Sequence, residues 1–156
     1  MSAPLALTRR AALTGLALAP LPAFAADDPG STVRELLRRA QRGGSLADAV
    51  AAPDAASFFT ADLLARLTGV DVDALFPGAG PLAAHEDVGA APRLLAMRTL
   101  RRGRDEARVE ATMRARGRGR RPWTTHFILL RENGRWRVDD LWIEGQDGTL
   151  RGRARL

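Results

Sequence analysis

The segment from Trp123 to Glu144 constrains this chain more than any other. Asn133-Gly134 separates two apolar runs, with Trp123, Phe127, Ile128, Leu129 and Leu130 before it and Trp136, Val138, Leu141, Trp142 and Ile143 after it. An Asn-Gly pair in that setting predicts a two-residue type I′ hairpin, because both residues accept the positive φ that the turn requires. All three tryptophans lie on the two predicted strands, so the largest apolar areas sit here and the rest of the chain must come to cover them. On the second strand Trp136 and Val138 share one parity while Leu141 and Ile143 share the other. A β-bulge at Asp139-Asp140 reconciles them by resetting which face looks inward.

The region before the hairpin reads as helices. Ser31 or Thr32, followed by Glu35, predicts a capping box, and Val33, Leu36, Leu37 and Ala40 then fall on one helical stripe that Gly43-Gly44 ends. Asp27 to Gly30 reads as a polar leader. Ser45 with Asp48 repeats the capping pattern for a short helix stopping before Pro53. Thr60 caps a third helix, Ala61 to Leu67, whose Leu63, Leu64 and Leu67 share a face. From Thr68 to Pro92 the Gly and Pro density predicts a long loop with one short turn near Val72 to Phe76.

After Pro92 the period becomes two. Leu95, Met97 and Thr99 alternate with Arg98, and Val109, Ala111 and Met113 alternate with Arg108, Glu110, Thr112 and Arg114, around a turn at Gly103-Arg104-Asp105. Asp147 to Leu156 reads as a basic turn or frayed end. Helices followed by about four antiparallel strands define an α+β fold, with the helices on one face of a curved sheet.

Residues 1–26 read as an export signal. Arg9-Arg10 supply its charged part, Ala11 to Leu21 its short apolar part and Ala23-Phe24-Ala25 a cleavage site before Ala26. Thr8 to Leu13 also resembles the twin-arginine signal, with Ala12 where that signal has a bulky apolar residue. Residues 27–156 then form one domain, periplasmic or secreted, held without disulfides because the chain has no cysteine. The basic residues are all arginine: residues 27–92 carry 5 against 10 acids, and residues 93–156 carry 17 against 8. An acidic half thus faces a basic half, which bears on partners and not on fold.

The order of elements, together with Phe58-Phe59-Thr60 leading into Leu63-Leu64, the acids Asp71 and Asp73, and the string Glu132-Asn133-Gly134-Arg135-Trp136-Arg137-Val138-Asp139-Asp140-Leu141, resembles the nuclear-transport-factor-2-like superfamily. That superfamily has a cone-shaped α+β fold shared by ketosteroid isomerase and many secreted bacterial proteins. Within it the chain is most similar to the exported domain-of-unknown-function family numbered 3828, over roughly residues 31–152. It departs by carrying Pro77-Gly78-Ala79-Gly80-Pro81 where the resemblance places a further Asp. The resemblance implies a pocket between the helices and the concave sheet face, with Phe58, Phe59, Trp123, Trp136 and Trp142 as its aromatic candidates, and leaves the activity open because cones host both enzymes and binders.

Two functional readings follow. The first is a non-catalytic periplasmic module that binds a small apolar ligand or an envelope or protein partner. The alternative is a ketosteroid-isomerase-like or dehydratase-like enzyme using His126 with Asp139 or Asp140 as general base and acid, without the tyrosine that the isomerase uses, since the chain has none. Arg116, Arg118, Arg120 and Arg121 form a candidate anion-binding run. Nucleic acid is not expected as its partner, because no aromatics interleave the run to stack bases. Asp71, Asp73, His85, Glu86 and Asp87 match a calcium loop only at Asp71-x-Asp73, and two distant histidines make a poor zinc set, so neither a metal nor another cofactor is expected.

Overall fold

The computed structural model describes residues 28–42, 44–76, 80–82, 92–116 and 121–154. Its frame is a four-stranded antiparallel sheet of β1 (Arg93–Arg102), β2 (Glu106–Arg114), β3 (Trp123–Glu132) and β4 (Arg135–Ile143), each beside its neighbour in sequence. Helices α1 (Pro29–Ala40), α2 (Leu46–Ala51) and α3 (Ala61–Leu67) precede it and α4 (Leu150–Arg153) follows it. The architecture is a mixed α+β arrangement around one antiparallel sheet.

The central hairpin forms as its turn chemistry requires: Asn133 has φ 52° and Gly134 φ 76°, the double positive φ of a type I′ turn. The expected bulge is present. Ile128 pairs with Asp140 and Leu129 with Val138, which leaves Asp139 as the extra residue. Trp136 and Val138 before it and Leu141 and Ile143 after it are accordingly all buried.

Helix α1 buries Val33, Leu36, Leu37 and Ala40 on its predicted stripe, but it starts earlier than its capping pattern suggests. Asp28 is the N-cap, its carboxylate accepting from the Gly30 amide at 3.1 Å, and Pro29 takes the first helical position. Proline suits that position because its missing N–H has no intrahelical partner to lose there. Thr32 is left free to donate its hydroxyl to the Trp136 carbonyl at 3.0 Å, which ties α1 to β4. The Ser45–Asp48 capping box forms as read.

Thr60 caps α3 by accepting from the Leu63 amide at 3.3 Å. The segment before it lies along the outer edge of β4: Val138 N–H donates to Phe58 O at 2.7 Å and Thr60 N–H donates to Val138 O at 3.0 Å. Phe59 is thereby driven into the core with no exposed surface. Side chains of that core contribute about 1.5–3 kcal/mol each when fully buried.

Two strand-end expectations are corrected. Register shifts in β1 between Leu94 and Ala96 and between Thr99 and Arg101 break its alternation, so Leu94 and Met97 are half-buried while Leu95 is exposed. Up to Ala154, the last described residue, the C-terminal segment is not frayed. Thr149 caps α4, Leu150 is fully buried, and Arg153 lies 4.7 Å over the Phe76 ring and donates to the Leu75 carbonyl.

Candidate functional site

The two faces of the sheet differ sharply. On the helix side Val109, Ala111, Phe127, Leu129, Val138 and Leu141 have no exposed surface; α1 packs against β1, β2 and β4, and α3 and Phe59 against β4. On the other, outer face the register aligns Arg98, Glu110, His126 and Trp142 in one row across all four strands. Arg98 donates twice to one Glu110 carboxylate oxygen, at 2.7 and 3.2 Å. His126 and Trp142 stack with ring centres 4.8 Å apart and planes at 17°.

Arg108 completes the cluster from β2. Its guanidinium lies 4.7 Å over the Trp142 ring, and its Nη2 is 3.4 Å from His126 Nδ1. The Glu110 carboxylate is 3.9 Å from the same nitrogen. Burial holds the imidazole below the ordinary histidine range and Arg108 pushes it the same way, against the opposing pull of Glu110 and Glu144. A guanidinium can only donate, so in this contact His126 Nδ1 is the acceptor. The Arg98 guanidinium holds the Glu110 carboxyl below the usual carboxylate range. Arg108 Nε is buried with no hydrogen-bond partner, a donor left over in an otherwise paired cluster.

The row does not include the acids that the sequence places near His126. Asp139, displaced sideways by the bulge, accepts from the Thr60 hydroxyl at 2.8 Å and pairs with Arg151. Asp140 accepts from the Leu141 and Arg151 amides at 2.9 and 3.0 Å. Both carboxylates are committed to holding α3 and α4 on β4, while His126 is served by Glu110 and Arg108.

The aromatic candidates are likewise divided. Phe59 and Trp136 are core residues, Phe58 is buried with Arg39 stacked 4.7 Å above it, and Trp123 is half-buried and packs against the core. Trp142 pairs with His126 and so lies on the outer face. Arg116 and Arg121 are exposed, whereas Arg118 and Arg120 lie outside the described residues, as do His85, Glu86 and Asp87. Asp71 and Asp73 serve backbone amides, of Ala74 at 3.3 Å and Ala47 at 3.4 Å. An apolar groove of about 550 Å³ opens between α2 and α3, lined by Val50, Pro53, Leu64, Leu67 and Val72 among others, with no sheet residue in its wall.

Sequence reasoning missed Arg98, Arg108 and Glu110 as partners of His126. Their alternation marks them as the polar face of a strand, but which β3 residue each meets depends on the β2–β3 register. Compared with family models, with curated proteins and with solved structures, the chain matches none.

Proposed function

We propose that this chain is a non-catalytic binding module, exported to the periplasm by residues 1–26 and built on the cone fold that its sequence resembles, with the outer face of the sheet as its contact surface. The observation that carries this reading is the contrast between the two faces. The helix side is packed with fully buried side chains, while the outer face carries in one row Arg98, which is exposed, Glu110 and Trp142, which are half-buried, and His126, which is buried among them. A stacked aromatic and fixed guanidinium donors suit a ligand with an apolar body and an anionic group. An enzyme reading lacks comparable support, since Asp139 and Asp140 are engaged with Thr60 and Arg151 and not with His126.

Titrating the ¹⁵N-labelled chain with anilinonaphthalene sulfonate, an apolar anion, tests the choice of face. Amide shifts centred on Glu110, His126 and Trp142 are expected. Shifts confined to Val33, Phe59 and Leu129 would move the site to the interior and overturn the reading.

A further inference from the structure

The outer surface of the β1–β2 hairpin sets arginine against arginine. Arg93 lies directly opposite Arg114, and Arg101 directly opposite Arg108, on either side of the Arg98–Glu110 pair. Like charges in directly opposed positions destabilise a sheet. Arg108 relieves one of these conflicts by lying across Trp142. Arg93, Arg101 and Arg114 have no ion pair among the described residues. Residues 93–114 hold seven arginines against Asp105, Glu106 and Glu110.

A second feature of β1 points to what this surface meets. Leu95 and Leu100, exposed to 42% and 45%, are the large exposed hydrophobics among the described residues. Each sits at one of the two register shifts of β1, the extra residue between Leu94 and Ala96 and between Thr99 and Arg101. Bulges and charges protect an edge strand from unwanted pairing, and neither device calls for a leucine in water. A soluble polyanion would use the guanidiniums and leave both leucines exposed. A bilayer surface uses both, with phosphates for the arginines and the headgroup–acyl boundary for the leucines.

We infer that the β1–β2 hairpin docks on an anionic lipid surface, with Arg93, Arg101 and Arg114 taking lipid phosphates and Leu95 and Leu100 entering the acyl boundary. This rests on the reading of the outer sheet face as the contact surface and names its partner. No helix among the described residues is long and apolar enough to cross a membrane.

Because the chain has no cysteine, single labels report on single positions. The full chain carrying Leu95→Cys or Leu100→Cys, tagged with a polarity-sensitive fluorophore, is mixed with vesicles of phosphatidylcholine alone or with phosphatidylglycerol, and Ala65→Cys on α3 is the control. Anionic vesicles should shift both hairpin labels to the blue and brominated acyl chains should quench them, with no effect at position 65. Adding Arg101→Ser should weaken partitioning about fivefold, the equivalent of about 1 kcal/mol per basic residue at such a surface. Attachment through residues 1–26 alone would carry the chain to the vesicle without quenching either label, and that result overturns the proposal. A response to soluble polyphosphate with none to vesicles also overturns it while leaving the outer face as contact surface. Silence toward both, joined to an unshifted outer face in the naphthalene sulfonate titration, removes both readings.

Discussion

Arg151 Nη1 lies 2.6 Å from the Asp62 carboxylate, and the same guanidinium pairs with Asp139, so one side chain of α4 joins α3 to the bulge of β4. Its Nε also donates to the Asp139 carbonyl at 2.7 Å. Arg151→Ala should cost about 1–3 kcal/mol, the range for losing charged hydrogen bonds to part-buried acceptors. Asp62 is well exposed and adds little through screened solvent. Lysine should restore only part of the loss, because an ammonium cannot reproduce the planar fork. Urea denaturation measures it, and a change below about 0.5 kcal/mol, the usual surface range, would mean that α4 is outside the cooperative unit.

Trp136 and Trp142 sit on the same strand and should respond differently. Trp136 is 2% exposed, so Trp136→Ala should cost about 3–5 kcal/mol. Trp142→Ala, on the outer face, should cost clearly less and should abolish the stack on His126. Equal losses for the two variants in chemical denaturation would contradict the assignment of faces.

The pH dependence of stability carries a signature of His126. Its folded pKa is depressed, chiefly by burial, so the unfolded chain binds the proton more readily in the window between the two values. Stability is fully present above the ordinary histidine range, near pH 6.5, and is lost as pH falls from there through the lower folded value. His126→Gln should flatten this part of the curve. Denaturation midpoints of the two proteins across that range provide the check; parallel curves would show that the imidazole protonates equally well in both states.

If the N-terminal export signal is cleaved at Ala23-Phe24-Ala25, the isolated periplasmic protein begins at Ala26. Intact mass of fractionated protein reads this directly. Precursor accumulating in the cytoplasm, with no shorter form exported, would remove the periplasm from the proposal.

The features legible from sequence were those decided within a few residues. Asn133-Gly134 dictates its own turn, Ser45 and Asp48 cap each other, and the parity change around Asp139 announces a bulge because one face of β4 must stay apolar. Misreadings arose where two local signals competed or where the answer lay across the sheet. At α1, Pro29 after Asp28 outweighed the Ser31/Thr32–Glu35 pattern. In β1 the two bulges are masked by leucines that read equally well as inward residues. The partners of His126 were hidden because Gly117, Gly119 and Pro122 mark a connection without specifying one turn type, so the β2–β3 register stays open and Glu110 cannot be matched to position 126. Arg151 lies in a stretch without apolar periodicity, so its grip on Asp139 has no sequence signature.

The Phe58–Thr60 segment laid across Val138 bears on how copies of this chain can associate. A sheet grows by adding strands at its edges, and here the β4 edge is already occupied at its middle and flanked by α4. Only β1 presents backbone donors and acceptors to a newcomer among the described residues. Two copies joined through β1 would bury the edge that each leaves open among the described residues, so strand addition at that edge ends with a pair.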